Sequence, residues 1–171
     1  KQNSVWAIFG SLIIVFFYIL MRFQRWQFSL GAVSAVFHDV LIVLGIFSLT
    51  YKIMPFNMEI NQAFIAALLT VIGYSLNDTV VVFDRIREFF RIHKSWDNEV
   101  TVNTALNSTL SRTLNTSLTT LIVLTAIFIF GGESIRGFMF ALIIGVMVGT
   151  YSSVFIATPI MFDSFKNKVT N

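Results

Sequence analysis

The stretch GYSLNDTVVVFDRIRE, Gly73–Glu88, decides how the whole chain reads. It closes an apolar run that starts near Ile60, yet the run carries an amide and a carboxylate side by side, Asn77 and Asp78, before ending in alternating charge. A run of that length suits a hydrocarbon core of about 30 Å, which takes roughly 20 helical residues to cross. At about 1.5 Å per residue, and with the span closing near Phe83, Asp78 lies about 8 Å below the membrane surface. A carboxylate at such depth costs roughly 2.5–3.5 kcal/mol, so it needs a polar partner or a proton. Asp78 is therefore the first candidate for function. The plainer reading is an acid that stays protonated and only hydrogen-bonds between helices, and Asn77 is read as a packing amide of that kind.

Composition agrees with a membrane chain. Of 171 residues, 56% are hydrophobic and 12% charged, with a mean hydropathy of +0.77, which lies outside the range of soluble domains. Five runs are long enough to span a bilayer: about 5–21, 28–51, 60–83, 110–130 and 138–162. The expected fold is an all-α integral membrane bundle of five transmembrane helices occupying 1–171. Its one sizeable polar connection, 84–109, is read as a surface helix that starts near Trp96–Glu99 and leads into the fourth span. The net charge of +3 and pI of about 9.5 do not point to nucleic acid, because the basic residues stand at span ends and not on one soluble face. The absence of cysteine excludes disulfides, thiolate metal sites and a cysteine nucleophile. The first span has neither a basic leader nor a small-residue cleavage site, so it is not read as a signal peptide.

Charge orients the spans. Arg22, Arg25, Arg85, Arg87, Arg91, Lys94, Arg112, Lys166 and Lys168 fall on one side, and Lys1, Lys52 and Arg136 on the other. The positive-inside rule assigns the first group to the cytoplasm and the amino terminus to the outer side. An outward amino terminus in turn predicts an earlier span and an outer domain ahead of Lys1. Trp6, Trp26 and Trp96 fall near span ends, as interfacial aromatics do.

Arg112, just inside the fourth span on the side of Asp78, is the natural partner for that acid. Around it Ser108, Ser111, Asn115, Thr116 and Thr119 recur at helical spacing, so one face of this span is a candidate lining for a hydrated path. A snorkelling anchor is the plainer reading of Arg112. His38 and Asp39 form a second intramembrane pair, with Asp39 the better candidate for a proton path. Asp84, Arg85, Arg87 and Glu88 read as a solvated inner helix end, with Asp84 and Arg87 spaced to pair at i,i+3 and the arginines free for anionic lipid or a cytosolic partner. In the fifth span Gly137, Ala141, Gly145, Gly149 and Ser153 repeat a small residue every four positions, a seam for close helix packing.

The segments IGYSLNDTVVVFDRIRE, LSRTLNTSLTTL, FGGESIRGF and GTYSSVFIATP, with HDV in the second span, resemble the SecF membrane region of the SecD/SecF protein-export family, within the RND-type superfamily. The resemblance covers essentially the whole chain. It implies the last five of six spans, with the first span and a large periplasmic domain preceding Lys1. It further implies a proton-motive-force-driven accessory of Sec-dependent translocation in the bacterial cytoplasmic membrane, working with SecD, separate or fused, with the SecYEG translocon and with a translocating preprotein. The family's intramembrane acid falls on Asp78 and its basic residue on Arg112. Protons are the coupling ion, with no other cofactor, no metal and no catalytic residue expected. The alternatives are an RND-type exporter of small molecules or lipids, an intramembrane aspartyl protease using Asp39 and Asp78, and a scaffold whose polar contacts only hold helices together. The Gly-x-Gly-Asp setting of such proteases is missing, since Ser-Leu-Asn precedes Asp78.

Overall fold

In lipid every backbone polar group must be satisfied within the chain, and apolar segments of this length meet that demand as helices. The structure, a computed structural model, describes residues 2–166. Lys1 and Lys168, which entered the charge count, lie outside the described residues. The elements are α1 (Gln2–Phe23), α2 (Trp26–Thr50), α3 (Gln62–Ile92), α4 (Asn98–Phe130) and α5 (Glu133–Ser152), the last continued through a π-helical turn (Ser153–Ala157) into α6 (Thr158–Lys166). These make five rods in an all-helical bundle. α2, α3, α4 and the α5–α6 rod are each long and apolar enough to cross a membrane.

The polar connection takes a different form from the expected one. Residues 84–92 continue α3, only a short turn follows, and 98–109 already belong to α4. Arginine and glutamate are good helix formers, so α3 continues past its apolar part without a break. Asp97 caps α4, its carboxylate accepting from the Asn98 N–H at 2.9 Å. The α5–α6 rod passes through its π turn just before Pro159, which can neither donate an N–H nor tolerate the carbonyl four residues back in a regular α-helix. Thr158 Oγ1 donates to the Ser153 carbonyl at 3.0 Å across that turn.

Two apolar plugs close the bundle at its ends. At the basic end Ile19, Phe23, Phe28, Phe83, Ile86 and Met161 form one. At the other, Phe47, Phe64, Val71 and Ile144 form the second, joined by Phe56 and Met58, which turn inward from the α2–α3 connection. Between them, on α2, α3, α4 and α5, the buried positions turn polar: Asp39, Ser75, Asp78, Thr79, Thr113, Ser117 and Ser152. This layer is the waist of the bundle.

α3 and α5 form its most extensive helix pair. Ala141, Gly145, Gly149 and Ser153 are buried, whereas Gly137 sits against the Asn57 carbonyl of the connection. A side chain at Gly145 would run into Val71, and one at Gly149 would lie 3.1 Å from the Ser75 Cβ. Gly145→Val is therefore expected to lower the thermal unfolding midpoint of the lipid- or detergent-held protein, by an overpacking cost of about 1–3 kcal/mol. Val71→Ala should restore part of it. Gly73→Ala, where nothing stands within 4 Å, should hold the midpoint or raise it, since alanine is the better helix former. Equal effects at Gly145 and Gly73 would mean that α5 does not pack on α3 in this way.

Candidate functional site

The waist holds two buried carboxylates in unlike settings. Asp39, on α2, is fully buried. Its Oδ2 accepts from Ser75 Oγ of α3 at 2.5 Å and from Ser152 Oγ of α5 at 2.7 Å. Its Oδ1 lies 3.1 Å from His38 Nδ1, a half-buried ring on the same helix. Three helices thus converge on one acid, and both oxygens are engaged at short range. A carboxylate so held is a structural tie, since removing one partner would leave a buried polar group unmet.

Asp78, on α3, is also buried, with 4% of its surface exposed. Its one hydrogen-bonding contact is Ser117 Oγ of α4, at a long 3.5 Å from Oδ2. Ser117 is a junction: it lies 2.6 Å from Thr150 Oγ1 of α5 and accepts from Tyr74 Oη at 3.3 Å. Thr150 Oγ1 in turn donates to the Val146 carbonyl at 2.8 Å. The buried hydroxyls of Thr79 and Thr113, each next in sequence to a candidate residue, have no partner at all. The surroundings of Asp78 are polar but slack, and those of Asp39 are polar and tight.

The structure does not join Asp78 to Arg112. The ion pairs among the described residues are Arg22–Asp84 and Arg85–Glu88, beside the His38–Asp39 contact. Arg112, Asn115, Thr116 and Thr119 lie on the exposed face of α4, and Asn77 is exposed on α3. The reason is angular: five residues separate Arg112 from Ser117, about 140° around a helix, so they cannot share a face. The face of α4 turned to the bundle is instead Thr109, Thr113 and Ser117, at i, i+4 and i+8. In the sequence the stripe beginning at Ser108 stands out because it holds the charge. Ser75, Ser117, Thr150 and Ser152 gave no signal beyond being small hydroxyl residues.

The charged end of α3 also pairs differently from the i,i+3 expectation. Asp84 takes Arg22 of α1 at 3.0 Å, while Arg87 donates to the Arg22 carbonyl at 3.2 Å. That carbonyl is among the last of α1, which the helix itself cannot satisfy. Arg85 bonds Glu88 at 2.7 Å and Ser108 of α4 at 3.0 Å. Asp39 and Asp78 share no hydrogen-bond partner in these contacts, unlike a protease dyad holding one proton between two acids.

Comparison with known proteins supplies the relationship. A family profile described as "Protein export membrane protein SecD/SecF, C-terminal" matches residues 1–167. The chain is 58% identical over 163 residues to the protein translocase subunit SecF of Rhodothermus marinus, covering 95% of this chain and 53% of that one. It is 47% identical over 161 residues to the protein translocase subunit SecDF of Brucella abortus, covering 94% and 20%. Among solved structures it matches the crystal structure of SecDF in its super-membrane-facing form, with a TM-score of 0.84, 40% identity, and coverage of 99% and 22%. The chain spans about half the length of the SecF relatives it matches. A bundle of five apolar rods around a polar waist, a profile matched over nearly its whole length and a shared backbone with SecDF establish that this chain belongs to the SecD/SecF protein-export membrane protein family.

Proposed function

We propose that this segment is the proton-responsive membrane part of a SecF subunit, or of the SecF half of a SecDF protein. In that role it assists Sec-dependent translocation of a preprotein from SecYEG across the bacterial cytoplasmic membrane, with the basic end of the bundle in the cytoplasm. The observation that carries the reading is the slack setting of Asp78: a buried carboxyl with one hydroxyl contact at 3.5 Å, at the end of a chain of hydroxyls.

That chain has two consistent proton arrangements. When Asp78 is protonated, its O–H donates to Ser117, Ser117 donates to Thr150, and Thr150 donates to the Val146 carbonyl. A hydroxyl has one donor and two acceptor positions, so Ser117 still accepts from Tyr74. When Asp78 is ionised, Ser117 must turn its hydrogen to the carboxylate, and a single long bond to a neutral hydroxyl is poor compensation for a buried charge. A cation is then required, and Arg112 is the one on the neighbouring helix. Because Arg112 starts from another face of α4, meeting Asp78 demands a rotation or shift of α4 against α3. Proton loss and helix movement are linked for that reason. A proton crossing about 100 mV supplies roughly 2.3 kcal/mol, enough to shift such a two-state balance more than tenfold.

The exposed face of α4 fits a partner. Thr116, Thr119 and Thr120 return their hydroxyls to carbonyls of their own helix, but Arg112 and Asn115 have no such recourse. Lipid tails offer them nothing. We assign this face to the SecD half.

Asp78→Asn keeps the shape of the protonated acid, so insertion and folding are expected to survive while proton-gradient-dependent stimulation of export is lost. Full stimulation in this variant, measured with and without an uncoupler, would refute the coupling role. Asp39→Ala should behave in the opposite sense: it removes the acceptor that Ser75 and Ser152 share, so stability falls by about 1–3 kcal/mol while residual export keeps its uncoupler sensitivity. Arg112→Leu should abolish gradient dependence. Arg112→Lys, which keeps the charge but loses the planar fork, should fall between. Equal activity of the Leu and Lys variants would reduce Arg112 to an interfacial anchor.

A further inference from the structure

At the basic end of the bundle a cavity of about 740 Å³ opens between the α1–α2 turn, the end of α3, the start of α4 and α6. Its rim carries Arg22, Arg25, Arg87 and Arg91 with Asp84 and Glu88. The acids are already met, Asp84 by Arg22 and Glu88 by Arg85. Arg25, Arg87 and Arg91 have no carboxylate partner among the described residues. Three uncompensated guanidinium groups therefore face one concavity.

The walls are of the opposite character. Among the lining phenylalanines Phe90, Phe162 and Phe165 are only partly buried, and Arg25 lies over the Phe165 ring at 5.4 Å, while Phe23 and Phe28 belong to the buried plug. A small hydrated anion would gain nothing from these rings. An acidic soluble peptide would not need them either. An amphiphile with an anionic head uses both parts, and basic pockets between transmembrane helices on the cytoplasmic side are suited to phospholipid head groups. Depth agrees: Arg25 is next to Trp26, an exposed aromatic at the start of α2 of the kind that marks the headgroup level.

We propose that this cavity binds an anionic phospholipid, its phosphate held by Arg25, Arg87 and Arg91 and an acyl chain lying against Phe90, Phe162 and Phe165. The lipid would join the α1–α2 turn to α3 and α6 at the basic end. The site is separate from the waist and does not depend on the proton reading.

The test is native mass spectrometry of the full-length protein with its SecD half, titrated with phosphatidylglycerol or phosphatidylcholine, with glycerol phosphate as soluble competitor. Arg25→Gln/Arg91→Gln spares the Arg22–Asp84 pair and the Arg87 bond to α1. At about 1 kcal/mol for each basic residue near a membrane surface, it should weaken phosphatidylglycerol binding at least tenfold. Phosphatidylcholine binding should not change, and Arg25→Lys/Arg91→Lys should retain most of the affinity. Lys52→Gln/Arg136→Gln, at the opposite end, should have no effect, and circular dichroism should show the same helix content throughout. Unchanged phosphatidylglycerol binding in the double Gln variant overturns the proposal. So does glycerol phosphate competing as well as the lipid, which would make this a free-anion site. Arg25- and Arg91-dependent capture of an acidic peptide, without any lipid preference, would overturn it in favour of a protein partner.

Discussion

Buried polar groups must find partners on neighbouring helices, and that constraint governs the waist of the bundle. Apolar plugs lie on either side of it, and its donors and acceptors meet side chains of other helices, with Thr79 and Thr113 the exceptions. Serine and threonine are short, and they reach across only if backbones come close. Gly145 and Gly149 bring α5 onto α3 at that level, which places Ser152 against Asp39 and Thr150 against Ser117. The small-residue seam and the polar waist are one device.

Within it the two acids have unlike settings. Asp39 binds three helices together through short contacts. Asp78 sits on the same helix as Ser75, one turn along, but its partners engage one another more closely than they engage it. A group whose protonation state changes must have neighbours that can serve either state, and a chain of hydroxyls can reverse its hydrogens at little cost. The hydroxyls of Thr79 and Thr113, in the same waist, are buried without a partner.

Much of this was legible in the sequence. Hydropathy gave five helices, because a span of roughly 20 apolar residues has few other uses. Asp78 was legible because an acid inside such a span is costly. The run FHDV likewise exposed Asp39, but not its role, since a tightly held acid and an exchanging one look alike in sequence. In α4 the charge of Arg112 marks the exposed face, while the buried stripe of Thr109, Thr113 and Ser117 is merely hydroxylic and carries no comparable signal. Pairing at the end of α3 was equally hidden, because local i,i+3 spacing says nothing of Arg22 arriving from another helix. Such exposed pairs contribute little individually, so local rules have little hold on them.

The central claim is that Asp78, and not Asp39, changes its protonation state. Infrared difference spectroscopy of the protonated-carboxyl stretch across a pH jump tests it directly, in the full-length protein with its partner half and in the Asp78→Asn and Asp39→Asn variants. The expected result is a pH-responsive carboxyl band that vanishes in Asp78→Asn and persists in Asp39→Asn. A band that survives Asp78→Asn and disappears in Asp39→Asn would contradict it and move the exchanging proton to α2.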